Sequence, residues 1–330
     1  MSGRKFDAKP AERRDVCLAI GLVAPPGAGK TWSALRLAAG IQKVRGGDII
    51  VIDTDFGRAS HYADYFKFKH VNFEPPFRPT DFLAAVQQFD LPTTAAIIVD
   101  NMSDEHEGTG GVLEWHDEEL DRMAGNDFSK RERCSQAAWI KPKQSREKMR
   151  RGLGRIKTPV IYTFRAKEKT EQRKNDRGKM EPVKIGWMPI APIELVFGMT
   201  ITCIIPPNGK GVPIWHSDKV GEDFIIKMPE QFKKMFSDGQ TLTEEHGRLM
   251  AEWARGGTKR QEASTAVDAA PADPISLETL DFALAQCDTV EDLRTTWVTN
   301  EKGIDKAQLL DAQAMYKVHL KRVKESTASP

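Results

Sequence analysis

Residues 24–31 read Ala-Pro-Pro-Gly-Ala-Gly-Lys-Thr, and no other run constrains the chain as much. A phosphate cradle needs inward-pointing backbone N–H groups and glycines that let the main chain come close. It also needs a lysine for the outer oxygens and a hydroxyl for a divalent cation. Gly27 and Gly29 supply the close approach, Lys30 the charge and Thr31 the hydroxyl. The apolar run Val16–Val23 in front reads as a buried strand. A helix is expected from Thr31 to about Lys43, ended by Gly46-Gly47. Its positive dipole end would face the same ligand. Pro26, Gly27, Ala28, Gly29, Lys30, Thr31 and Trp32 are therefore the candidate nucleotide contacts, with ATP and Mg2+ as the implied ligands. The first glycine usual in such loops is Ala24 here.

Further apolar strands are expected at Asp48–Asp53, Ala95–Asp100, Pro159–Phe164, Thr200–Ile205 and Phe224–Lys227. Helices are expected at Thr80–Phe89, Val112–Met123, Ser145–Ile156, Glu230–Phe236 and Glu244–Arg255. Alternating apolar strands and helices imply an α/β fold with a doubly wound, mostly parallel sheet. Composition shifts at Gly256: residues 256–274 are rich in Ala, Gly, Thr and Pro and read as a linker. Beyond it, 275–325 reads as a small appendage of two or three helices, with Leu309, Tyr316, Leu320 and Val323 as a stripe. Residues 1–14 read as a basic arm, and 15–255 as the core domain.

Two strand ends carry acids. Ala-Ala-Ile-Ile-Val-Asp, ending at Asp100, is expected to hold the cation shell together with Thr31. Asp53-Thr54-Asp55 ends the second strand, where an acid can polarise an attacking water. The groups 104–107 and 114–117 contain metal-ligand residue types, but their spacing matches no ligand set.

Net charge is +2, yet the stretch from Asp121 to Lys184 holds 20 Lys/Arg against 8 Asp/Glu, a local charge of +12. Such a block points to an anionic polymer, with solvated helix faces as the plain alternative. The four cysteines form no C-x-x-C pair, which argues against a zinc site or a disulfide framework and fits a reducing cytoplasm. No apolar run approaches the ~18 residues of a membrane helix, and Met1–Asp15 is too polar for a secretory signal.

The phosphate loop, the acid-x-acid of Asp53–Asp55 followed by Gly57-Arg58, and Asp100 at a strand end together resemble the RecA/RadA-type recombinase core. The runs Asp53–Tyr62 and Asp100–His116 resemble a narrower group. These are phage-encoded RecA-like P-loop ATPases, including single-strand annealing proteins of the Sak-four type. The resemblance covers about Val16–Trp215. It implies a RecA-like P-loop NTPase core, ATP hydrolysis in DNA recombination, annealing or replication, and assembly into a ring or filament. It places the catalytic base at Asp55, one methylene shorter than the family's glutamate, with Glu105 and Glu107 as alternatives, and makes slow hydrolysis the expectation. It makes Arg165 a γ-phosphate sensor, which joins Lys30, Asp55 and Asp100 in the catalytic set, and Lys167 and Lys169 candidate cationic fingers. It places the mobile DNA-binding loop at Glu168–Lys184, where Lys169, Arg173, Lys174, Arg177, Lys179 and Lys184 would neutralise the phosphates of single-stranded DNA. Trp187 is expected in the core rather than on a base. Two other readings stay open: a nucleotide-gated DNA-binding module with little hydrolysis, and a small-molecule phosphotransferase.

Overall fold

The computed structural model describes residues 16–174, 178–207, 209–256, 276–287, 289–301, 304–305 and 307–326. The basic arm 1–14 lies outside the described residues, as does the linker beyond Gly256.

The chain runs β1 (Ala19–Ala24), α1 (Lys30–Arg45), β2 (Asp48–Asp53), β3 (Lys69–Asn72), α2 (Pro79–Gln88) and β4 (Thr94–Asp100). It continues through α3 (Asp104–Glu107), α4 (Val112–Ala124), α5 (Phe128–Ala138), α6 (Ile140–Leu153) and β5 (Val160–Lys174). Then follow β6 (Met180–Pro189), α7 (Ile193–Phe197), β7 (Ile201–Ile204), α8 (Val220–Ile225) and α9 (Glu244–Ala254). The sheet order is β3-β2-β4-β5-β1-β7, parallel throughout, with β6 antiparallel on the far end of β5. Strand residues alternate between two cores, because successive side chains leave a strand on opposite faces. Ile20, Leu22, Val51 and Ile98 pack with α1 and α9. Ile52, Ile97, Val99 and Tyr162 pack with α2 and α6 on the other face. The fold is therefore α/β, with helices on both sides of a mostly parallel sheet.

This arrangement brings the C-terminal ends of β1, β2, β4 and β5 to one edge. Register fixes the neighbours there: Ala24 lies beside Arg165, and Asp53 beside Asp100. Helix α1 is pinned from behind by α9. A Cβ on Gly40 would collide with the Glu244 carbonyl, and one on Gly247 with that of Leu37. Arg36 clamps Glu244 with two hydrogen bonds, of 2.9 and 2.7 Å.

Several elements depart from the expectations. The apolar run Phe224–Lys227 is not a strand: Val220–Ile225 is helical, and Lys227 alone bridges Thr202. Two acids in the first helical turn and the Asp223 N–H bond to the Lys219 carbonyl outweigh the local strand preference. Of Glu230–Phe236, Glu230–Phe232 forms a 3-10 turn. Helix α5 carries no apolar stripe and is held by its Asp127 cap, which accepts from the Lys130 N–H at 3.0 Å.

The largest departure is within Glu168–Lys184, where residues 168–174 and 180–184 are strands rather than loop. β5 runs straight on to Lys174 and pairs with β6 as a hairpin whose ladder joins Thr170 to Lys184 and Lys174 to Met180. Ladder hydrogen bonds stabilise this ribbon without an apolar face, which is why its polar sequence reads as loop.

A second compact unit begins after Gly257. It contains α10 (Leu277–Ala285), α11 (Val290–Asn300) and α12 (Leu309–Ser326). Leu280, Leu284, Leu293, Ala312 and Val323 form its core, with Leu309, Tyr316 and Leu320 packed against it. Among the described residues no helix is long and apolar enough to cross a membrane.

Candidate functional site at the C-terminal edge of the sheet

The glycine loop joins β1 to α1. Gly27 (φ 77°) and Gly29 (φ 95°) both adopt the left-handed backbone that other residues resist. A Cβ on Gly27 would point into open space, so the loop presents bare backbone on that side. The first turn of α1 contains no acid and no side-chain cap, which leaves its N–H groups and dipole for an anion. Pro26 and Gly27 are exposed, Ala28 is buried, and Gly29, Lys30 and Thr31 are half-buried. Trp32 packs edge-on against Tyr62, Tyr65 and Phe66, with ring centroids 4.9–5.9 Å apart. On the other side, the turn after β7 sits against the loop: a Cβ on Gly29 would lie 3.5 Å from the Gly211 Cα. That turn exposes Lys210, which the sequence reading passed over although Pro-Pro-Asn-Gly-Lys-Gly at 206–211 is a plain turn signal.

Asp100 joins the loop to the sheet. Thr31 donates to one carboxylate oxygen and Thr163, on β5, to the other, each at 2.5 Å. Burial raises the Asp100 pKa, while the two hydroxyls and the Lys30 charge act against that shift. Thr31 keeps its lone pairs, so Thr31 and Asp100 can together hold the hydrated shell of a divalent cation beside the loop.

A second network runs behind Asp100. Thr54 donates to Asp104 at 2.6 Å and accepts from the Asn101 N–H at 2.9 Å. Arg165 donates to Asp104 at 2.5 Å and lies 3.4 Å from Glu107. The Arg165 Nε and the Asn101 Oδ1 are buried and unpartnered in this chain, which suits an edge that receives a polar ligand. Burial raises the Asp104 pKa, against the pull of Thr54 and Arg165. Sequence reading missed Thr163, and weighed Asp104 only as part of a group of metal-ligand residue types.

The candidate acids are sorted by their partners. Asp53 is buried and accepts from the N–H groups of Asp55 and Ala59, at 2.6 and 2.9 Å, with His70 3.0 Å away. It shapes the turn. Glu105 is 0% exposed and gripped by Arg146 of α6, at 2.8 and 3.0 Å, so neither oxygen faces solvent. Glu107 is held near Arg165. Asp55 has 39% of its side chain exposed and only a loose 3.4 Å contact to Arg58, which leaves it the candidate most able to meet a water. The His106 Nδ1 accepts from Arg146 at 3.0 Å. Burial, then Arg146, Lys167 and Lys169, push its pKa down to about 4. Among the described residues no three His, Cys, Asp or Glu side chains form a cluster able to hold a metal.

The expected DNA-contacting residues divide along the hairpin. Lys169, Lys174, Lys179 and Lys184 are exposed on it, and Lys184 pairs with Glu168 at 3.2 Å. Arg173 belongs to β5, opposite Glu181 in the register, and Arg177 lies outside the described residues. At the hairpin root Gly186 (φ 101°) makes room for Glu222, which accepts from the Trp187 N–H at 2.8 Å and from Ser217 at 2.7 Å. Trp187 packs half-buried against the core.

The chain matches no protein-family model and no curated protein.

Proposed function

We propose that this chain is a Mg2+-dependent ATPase of the RecA-like P-loop type that binds single-stranded DNA and acts in recombination, annealing or replication. The observation that carries the reading is the Thr31–Asp100–Thr163 bridge, in which the loop hydroxyl and the strand acid meet across the sheet. Bare backbone at Gly27 and the uncapped start of α1 receive the phosphates, and Lys30 adds charge where it builds up in transfer. The cation, when bound, neutralises phosphate oxygens beside Thr31 and Asp100. Asp55 orients and deprotonates the attacking water. Arg165, one strand over from Ala24, exchanges its Asp104 partner for the terminal phosphate. Because Arg165 begins the stretch of β5 that becomes the hairpin, its movement is felt where DNA binds. Rings or filaments place a neighbour at this edge.

DNA binding at the hairpin has a direct test. Neutralising Lys169, Lys174 and Lys184 together removes up to three phosphate contacts. The log–log salt dependence of oligo-dT affinity then becomes shallower by roughly 2, at about 0.7 per contact on a single strand. An unchanged slope in fluorescence anisotropy removes the hairpin from the DNA site and leaves the ATPase reading standing.

A further inference from the structure

The +12 block extends well beyond the hairpin. Helix α6 and the turn after it carry Lys143, Lys148, Arg151 and Arg155 at spacings of three to five residues. Lys148 and Arg151, three residues apart, share one side of the helix, and all four cations line the same groove. α6 lies against α2, and the two approach closely because Gly152 has no side chain: a Cβ there would press into Leu83. Between them runs an open groove of about 670 Å3, lined by the four cations with Gln87 and Gln144.

Ordinary surface ion pairing does not account for this charge. Glu147 is the groove's one acid, and it is shared by Arg150 and Arg151. Lys143 lies over the Trp139 ring, 5.6 Å from its centroid. Among the described residues Lys148 and Arg155 have no ion-pair partner, and both are exposed. The groove thus concentrates positive charge in a concave channel, where the field on an anion is strongest.

We infer that this groove is a second nucleic-acid track, binding the phosphate backbone of a strand apart from the β5–β6 hairpin. The inference rests on the nucleic-acid part of the function proposed above. An extended polyanion fits an open groove lined by four cations, with two amides to meet sugar or base edges. An anionic membrane would call for exposed apolar side chains among the cations; in the groove the large apolar side chain, Leu83, is buried, and the exposed Ile140 of the same helix lies outside the lining. The same helix also reaches the candidate site, since its Arg146 grips Glu105, next to Asp104 in the chain. A strand in the groove would therefore lie on the helix that braces the catalytic edge.

The test compares two charge-reversed full-length variants, Lys148→Glu with Arg155→Glu in the groove, and Lys169→Glu with Lys174→Glu on the hairpin. Labelled oligo-dT is titrated at several salt concentrations. The groove variant is expected to lose at least tenfold in affinity at low salt, and its salt slope to fall by about 1.4, for two single-strand contacts. Its melting temperature should match the parent, because both side chains are exposed; a Gln pair at the same positions, which should lose less, serves if the Glu pair misfolds. Parental affinity and slope in the groove variant, beside a loss in the hairpin variant, overturn the groove and leave the DNA reading intact. No oligonucleotide binding by the parent overturns both. A groove variant that loses binding to phosphatidylserine vesicles but keeps oligo-dT overturns the nucleic-acid assignment of the groove.

Discussion

Asp104 and Asp55 sit on the same edge and are asked for different work. Asp104 ties Thr54 to Arg165, so Asp104→Asn leaves a guanidinium without its short partner. That change should cost about 1–3 kcal/mol of stability as well as activity. Asp55→Asn touches no buried contact. It should leave the melting temperature unchanged and nucleotide binding intact, while slowing turnover at least about 100-fold. Thermal melts beside turnover rates separate the two, and parental turnover in Asp55→Asn would return the base to Glu107. His106 offers a pH test. Its folded pKa of about 4 lies below the ordinary value of 6.5, so between these limits the unfolded chain binds the proton and the folded chain refuses it. The His106 contribution is therefore complete above about pH 6.5 and lost as pH falls toward 4. The fall in melting temperature from pH 7 to 5 should be smaller in His106→Gln than in the parent; equal falls would contradict the burial argument. At this scale the loop and Asp100 were legible, because a short run carries them. Thr163, Arg146 and the bridging role of Asp104 were not, since their partners lie 41 to 63 residues away in the chain.

Helix α1 owes its position to glycine as much as to its apolar face. Gly40 and Gly247 let α1 and α9 approach until side chains would strike backbone carbonyls. Gly40→Ala should therefore destabilise by about 1–3 kcal/mol or more, in spite of the better helix propensity of alanine. A chemical-denaturation midpoint that rises instead would show that the helices separate without cost. The elements themselves show where sequence reading reaches its limit. Buried strands announced themselves as apolar runs, and α2 and the second half of α6 as periodic stripes. The outer halves of β5 and β6 did not, because a solvated ribbon is fixed by its ladder and by Glu222 at its root rather than by pattern. Phe224–Lys227 misled in the opposite direction, an apolar run drawn into a helix end by its surroundings.

Taken whole, the molecule pairs a doubly wound core with a separate three-helix unit, and gathers its positive charge on one stretch of the core. That stretch, from α4 to the hairpin, follows Asp100 in the chain and includes the strand that carries Thr163 and Arg165. Nucleotide chemistry and polyanion binding would then share a segment of chain. Everything depends on the glycine loop handling ATP. The direct measurement is phosphate release from Mg2+-ATP by the purified chain, with and without single-stranded DNA, for the parent and for Lys30→Ala. The parent should turn over ATP only with Mg2+ and faster with DNA, and Lys30→Ala should lose at least about 100-fold with its melting temperature unchanged. Turnover by Lys30→Ala at the parental rate would contradict the loop's assignment.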